Sequence, residues 1–178
     1  MDFLVRLVRA IERVNEWVGR TAAWLTLGTV LVCAAVVALR YAFAYGSICL
    51  QESYVWEHAT VFMVGAGYTL LPHGHVRVDI FYARMLRRAK AWVDLGGTLA
   101  FLLPWLGVLV WYGWPFVRLS WRLLEDSARA GGCQGYFLLT SVIFVFAALV
   151  AAQGIALAAR SILVLAGRDD LQPSAERV

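Results

Sequence analysis

The stretch TAAWLTLGTVLVCAAVVAL, residues 21–39, indicates the fold class, because none of its residues carries a charge. It lies between Arg20 and Arg40 and has nineteen residues, close to the ~20 apolar residues that cross the hydrocarbon core of a bilayer. We interpret it as a membrane-spanning helix that ends near residue 44. A cleaved signal peptide is the competing interpretation, but its apolar region would be shorter, about 7–15 residues.

The composition of the whole chain also favours a membrane protein. The 178 residues are 61% hydrophobic and 16% charged, and their mean hydropathy is +0.68. A soluble domain is usually about 45–50% apolar and about 25% charged. The composition therefore predicts an all-α integral membrane protein. The net charge of +4 does not indicate nucleic acid binding, since the cationic residues cluster at predicted helix ends.

Four segments of the chain are predicted to span the membrane, and together they form one membrane domain, residues 21–166. The second segment reaches a sufficient length only if its helix extends back through Glu57 toward Glu52. Both carboxylates then lie in the first turns of that helix, near the membrane interface. The four predicted spans are residues 21–44, 50–72, 92–116 and 135–163.

Two segments flank this membrane domain. Residues 1–20 have apolar side chains at helical spacing, with arginines and glutamates on most of the other side. This pattern predicts a short, basic amphipathic helix that lies in the plane of the lipid headgroups at the cytoplasmic face. Residues 167–178 are mostly polar, and we expect them to form a flexible cytoplasmic tail.

The distribution of positive charge predicts the orientation of the chain. Twelve of the sixteen cationic residues fall in the N-terminal segment, the second connection and the C-terminal end of the chain from Arg160 onward, which lie on one side. The other four fall on the opposite side. Cytoplasmic loops of membrane proteins carry an excess of Lys and Arg, so both termini are predicted to be cytoplasmic.

The polar stretch HGHVRVDIFY, residues 73–82, follows the second predicted span. His73, His75 and Asp79 could form a metal site, but no cysteine or further histidine stands nearby. The alternative is a polar cytoplasmic corner between two helices. Arg77 and Asp79 would then pair with one another, with helix ends, with lipid headgroups or with a partner protein.

Ionisable residues near membrane depth are costly, and they are usually paired or functional. Arg40 closes the first span, while Glu52 and Glu57 open the second on the same side of the membrane. The residues therefore allow an ion pair between Arg40 and a glutamate. The alternative is that each side chain extends separately to headgroups and water.

His58 is the only histidine within a predicted span. A membrane haem would need a second axial histidine on another helix, so the histidine count argues against a haem or quinone anchor. We expect His58 to hydrogen-bond across helices instead.

The cysteines leave one question open. Cys33 lies within the first span, whereas Cys49 and Cys133 fall in loops predicted on the same side. A disulfide between these two is possible, but nothing in the sequence brings the loops together.

Three stretches of the chain are distinctive when taken together: LRYAFAYGSICLQE (39–52), VGAGYTLLPHGHVRVDIFY (64–82) and WVDLGGTLAFLLPW (92–105). They resemble the small membrane subunit of tripartite ATP-independent periplasmic (TRAP) transporters, and the resemblance extends over residues 14–166. The family's hallmark is GHVRVD after the second span, and Arg40-Tyr41 and Glu52 also match its pattern. The family usually has a lysine at the start of the fourth helix, where this chain has Thr140.

The resemblance implies a function in sodium-coupled uptake of organic anions, such as carboxylates, across a bacterial inner membrane. A periplasmic substrate-binding protein captures the anion, and a large membrane subunit carries it with sodium by an elevator motion. The small subunit binds the large one and extends its static scaffold. It is not an enzyme, and catalytic residues, metal sites and cofactors are not expected in it, with sodium expected on the large subunit.

Two alternatives to this function are a haem- or quinone-type membrane anchor of a redox enzyme and the small subunit of an unrelated tripartite carrier. Under the leading interpretation, membrane lipids and the two other transporter proteins are the expected partners. The candidate structural or subunit-interface residues are Arg40, Glu52, Glu57, His75, Arg77 and Asp79.

Overall fold

The computed structural model describes residues 2–70, 82 and 85–167. His75, Arg77 and Asp79 lie outside the described residues, as does nearly all of the predicted tail. The described residues form helices and connecting loops without a strand, so the predicted all-α class is confirmed. The elements are α1 (Asp2–Ala42), α2 (Ile48–Leu70), α3 (Arg87–Gly97), a π-helical turn (Thr98–Leu102), α4 (Leu103–Leu123) and α5 (Tyr136–Leu165).

Helix α1 joins the predicted amphipathic segment and the first predicted span into one helix of 41 residues. Its length is about 60 Å, twice the ~30 Å thickness of the hydrocarbon core. The structure therefore differs from the prediction of a separate interfacial helix. The junction at Arg20 has no proline, and the neighbouring Gly19 packs directly against the side chain of Tyr68 on α2.

Helix α2 runs back along α1, and it begins at Ile48, earlier than predicted. Glu57 is consequently the tenth residue of α2, about 14 Å along the helix axis from its start. It lies beside Gly28 of α1, deeper than the interfacial position predicted for it. Glu52 remains in the second turn of the helix.

The third helical segment is continuous from Arg87 to Leu123 and contains the π-helical turn. The turn ends just before Pro104, which has no N–H to donate to the preceding turn, so the backbone hydrogen-bond pattern shifts there. In this turn Leu102 packs against Gly154 of α5, where a Cβ on the glycine would lie 2.7 Å from Leu102 Cδ2.

Helix α5 is the centre of the structure, because α1, α2, α3 and α4 all pack against it. On one side Ala156 and Ala159 contact the buried Val8 of α1. On the other side Ala147 and Val150 contact Leu106 of α4. Small side chains on α5 therefore let several helices approach one helix closely, as is typical within membranes.

Three helical segments in the described part of the chain are long and apolar enough to cross a bilayer. Helix α2 has 23 residues, about 34 Å, but it carries Glu52, Glu57 and His58. The chain is a helical membrane protein, and the fourth span stays a prediction. The three segments are Phe3–Ala42, Arg87–Leu123 and Tyr136–Leu165.

Candidate functional site

The carboxylate of Glu52 makes several polar contacts at the start of α2. It accepts a hydrogen bond from the hydroxyl of Ser127 at 2.5 Å and another from the backbone N–H of Cys133 at 2.9 Å. Arg129 adds a cationic neighbour, with its Nε 3.9 Å from Glu52 Oε1. Only 8% of Glu52 is exposed. Glu52 therefore ties α2 to the loop between α4 and α5, residues 124–135.

A disulfide joins the same helix to the same loop. Cys49 and Cys133 are bonded, with their Cα atoms 4.5 Å apart. Cys49 lies one turn before Glu52, so Cys133 is held by its side chain and by its backbone N–H at once. The disulfide that the sequence left open is thus present, because the loop folds down onto the start of α2. We call Cys49, Glu52, Ser127 and Cys133 the clasp.

The loop reaches the clasp through turns that its own sequence specifies. Asp126 accepts a hydrogen bond from the backbone N–H of Gly135 at 2.9 Å, and Gly135 has a φ of 91°. Positive φ values favour glycine. Gly132 lies so close to the carboxylate that a Cβ there would be 2.7 Å from Glu52 Oε2. Gly132 and Gly135 therefore allow the backbone of the loop to come close to the Glu52 carboxylate.

Arg40 does not take part in this arrangement. Its side chain is exposed in the last turn of α1 beside the turn into α2, where it lines a small depression with Tyr45 and Gly46. Among the described residues, no ion pair joins Arg40 to Glu52 or to Glu57. Glu52 instead faces the loop before α5, and a cation at the end of α1 is stabilised by the helix dipole.

Glu57 points toward α1 and not toward the clasp. Its Oε2 lies 3.6 Å from the position that a Cβ on Gly28 would occupy. This oxygen is buried and accepts no hydrogen bond from the described residues. Helix α2 is predicted to span the membrane, and a carboxylate in the middle of such a helix is costly, so Glu57 is a functional candidate of a different kind from Glu52.

A second set of polar contacts joins α1 to α5 at the other end of the molecule. The buried side chain of Asn15 donates a hydrogen bond to Gln153 Oε1 at 2.8 Å. One turn earlier on α1, Glu12 forms an ion pair with Arg160. Sequence reasoning missed both pairs. The one available signal was Gln153, an amide within a long uncharged segment.

Gly67 on α2 makes room for this contact. A Cβ on Gly67 would lie 2.8 Å from Asn15 Oδ1 and 3.0 Å from Leu149 Cβ. Small residues such as those at positions 65–67 let membrane helices pack closely. Gly67 packs against residues of its own chain, whereas a Cβ on Gly65 would meet nothing within 4 Å.

Thr140 lies buried in the first turns of α5, where the family lysine was expected. Its hydroxyl donates to the backbone carbonyl of Phe137 at 2.8 Å and so stays within its own helix. Aromatic pairs surround this end of α5, with Trp56 against Tyr136 and Trp121 against Phe137. Packing, and not a charge at position 140, fixes this end of the helix.

Within the described residues, no group of three or more His, Cys, Asp or Glu side chains could hold a metal ion. His73, His75 and Asp79 lie outside those residues, so the two interpretations of that stretch are not separated here. The geometry of the described part favours helix assembly, since its polar groups join helices and loops to one another.

The comparison with protein families agrees with this geometry. A family model described as "Tripartite ATP-independent periplasmic transporters, DctQ component" matches residues 28–164, well over half of the chain. Neither the curated proteins nor the solved structures gave a match. The matched residues include the whole clasp and all of α2, α3 and α4. The DctQ family is a transporter component and not an enzyme family. The chain belongs to the DctQ family, the small membrane component of tripartite ATP-independent periplasmic transporters.

Proposed function

We propose that this chain binds the large membrane subunit of a sodium-coupled TRAP transporter and extends the static scaffold against which that subunit moves. The transported substrates are organic anions, in particular carboxylates, and a periplasmic substrate-binding protein delivers them. The observation that carries the proposal is the packing of every other helix on α5, with α2 fastened to the loop before α5 by the clasp.

A static scaffold must resist sliding of its helices, and this chain is fastened at two levels. The clasp holds α2 to the loop before α5, while Asn15–Gln153 and Glu12–Arg160 hold α1 to α5 farther along. A covalent bond, a buried pair of amides and a partly buried ion pair cost free energy to break, so they favour one register of these helices.

A wide groove on the surface of this domain is unsuited to an anion. It lies between α4 and α5, has a volume of about 850 Å³ and is lined by side chains such as Leu106, Trp111 and Ala147. Transporters hold anions near the membrane midplane with helix N-termini and polar groups. This supports a substrate site on the large subunit, where sodium would also bind.

The orientation that we propose follows from the positive charge and agrees with the disulfide. If both termini are cytoplasmic, the clasp faces the periplasm, because α1 ends and α2 begins on that side. Disulfides form and persist in the oxidising periplasm and are rare in the cytosol. The clasp would then lie on the membrane face at which the binding protein docks.

Reconstitution tests the proposal. The chain is co-expressed with the large membrane subunit, purified through a tag on this chain, and placed in liposomes with the binding protein. We expect the two membrane subunits to co-purify and to take up an organic acid from a panel only with a sodium gradient. Full uptake by the large subunit and binding protein without this chain would contradict the proposed role.

A further inference from the structure

The outward face of α2 carries an unusual residue for a lipid-exposed surface. Val55 and Phe62 are 52% and 72% exposed, and His58 between them is also exposed. The spacing of three and four residues places all three on one side of the helix. His58 is the eleventh residue of α2, about 15 Å along the axis from Ile48 and near the middle of the helix.

An imidazole at this depth needs a hydrogen-bond partner that acyl chains cannot provide. In the described part of the chain, no hydrogen bond or ion pair involves His58. Polar side chains within membrane segments are costly unless they face protein or water, which makes an exposed mid-helix histidine a sign of a missing neighbour. The exposed side chains of α4 such as Val108 and Phe116 are apolar and have no such need.

The shape of the same face also suits a neighbouring helix. Gly65 follows Phe62 by three residues, and a Cβ on Gly65 would meet nothing within 4 Å. The backbone of α2 at Gly65 is therefore not covered by another part of the described chain on its outer side. Glycine at such a position lets the backbones of two membrane helices approach closely. The space beside Gly67, only two residues away, is occupied by Asn15 and Leu149 of the same chain, so a partner helix cannot approach there.

We propose that the His58 face, formed by Val55, His58, Phe62 and Gly65, is the seat of one transmembrane helix of the large membrane subunit. His58 hydrogen-bonds to a polar side chain or a freed backbone carbonyl of that helix, while Phe62 and Val55 supply the apolar contact. The large subunit is the occupant because lipid cannot satisfy the imidazole and the family is a component of a multi-protein membrane transporter. This inference rests on the proposed function and adds the surface at which the partner binds.

Photo-crosslinking in the intact complex tests the position of the partner. Phe62→p-benzoylphenylalanine is compared with Phe116→p-benzoylphenylalanine, which is likewise exposed but lies on α4, in membranes that hold both subunits. We expect position 62 to give an adduct that mass spectrometry identifies as the large subunit, and to give it in greater yield than position 116. An adduct to a second copy of this chain, an adduct to lipid alone, or no adduct would overturn the inference.

Substitution of the histidine tests its role in binding. We expect His58→Leu to lower the amount of large subunit that co-purifies by roughly three- to tenfold, the loss typical of one hydrogen bond between membrane helices. Phe116→Leu, at an exposed apolar position of α4, is the control and should leave the yield unchanged. An intact Cys49–Cys133 disulfide on non-reducing gels verifies that the His58→Leu chain is folded.

The outcomes separate this inference from the proposed function. If the unaltered chain co-purifies with the large subunit but His58→Leu does so equally well, the His58 face is wrong and the scaffold role stands. If the unaltered chain does not co-purify at all, both proposals fail.

Discussion

Glu52 and Cys133 are 81 residues apart in the chain, yet the Glu52 carboxylate accepts a hydrogen bond from the Cys133 backbone N–H at 2.9 Å. Cys133 is at the same time disulfide-bonded to Cys49, one turn before Glu52 on the same helix. One loop residue is therefore held twice by one end of α2. The covalent and the polar contacts can be removed separately, which makes their contributions measurable.

Removing the charge of Glu52 is expected to loosen the loop without breaking the disulfide. In Glu52→Gln one carboxylate oxygen becomes an amide NH₂, which cannot accept from either the Ser127 hydroxyl or the Cys133 N–H. We expect a lower unfolding temperature in detergent and faster proteolysis within residues 124–135. Glu125→Gln is the control for nonspecific charge loss, because the Glu125 side chain makes no hydrogen bond or ion pair among the described residues. Equal proteolysis of Glu52→Gln and the unaltered chain would count against the clasp.

Loss of the disulfide should destabilise the folded subunit more than loss of either hydrogen bond. The two cysteines are 84 positions apart in the chain, and loop-closure entropy sets an upper limit of about 4.5 kcal/mol for the effect of Cys49→Ser. Cys33→Ser removes the exposed free cysteine and should have little effect. Maleimide labelling in native membranes checks the bond itself, because Cys49 and Cys133 should react only after reduction.

The two glycines near the end of α2 should respond oppositely to the same substitution. In Gly67→Ala the new methyl group meets Asn15 and Leu149, and overpacking of this kind costs about 1–3 kcal/mol. In Gly65→Ala the methyl group meets nothing within 4 Å, so the gain in helix propensity leaves stability unchanged or raised by up to about 1 kcal/mol. Unfolding of the isolated subunit in mixed micelles measures both, and equal values would contradict the close packing at Gly67.

The hydrogen bond between Asn15 and Gln153 should appear as a coupling free energy. We expect Asn15→Leu and Gln153→Leu each to destabilise the subunit, since each leaves a buried amide unpaired. The double variant should lose less than the sum of the two, with a coupling of about 0.6 to 1.7 kcal/mol. Strict additivity in this double-mutant cycle would show that the two amides do not stabilise one another.

The features that sequence alone predicted are those that depend on local composition. The all-α membrane class followed from uncharged runs such as residues 21–39, because hydropathy and length are properties of one segment. The sequence did not predict that Glu52 joins α2 to the loop before α5. The sequence placed it correctly in the first turns of α2 but suggested Arg40 as a partner, since Arg40 is near in the chain whereas Ser127 is not.

The features that sequence did not predict depend on the packing of distant segments. Asn15 and Gln153 are separated by 138 residues, and nothing local to either marks the other as its partner. The continuity of α1 through Arg20 was missed because a change from amphipathic to apolar periodicity suggests a boundary without requiring one. The close contact between Leu102 in the π-helical turn and Gly154 was not predicted either, because it again involves a second helix.

The central position of α5 has a consequence for the order of biosynthesis. Helices α1 to α4 are synthesised before α5, although α5 is the helix on which all of them pack. Until α5 has been inserted, Asn15 lacks its amide partner and Leu106 lacks the alanine and valine that cover it. A ribosome that stalls before residue 136 therefore leaves in the membrane a chain with unpaired polar groups, which membrane quality-control proteases can distinguish from the finished subunit.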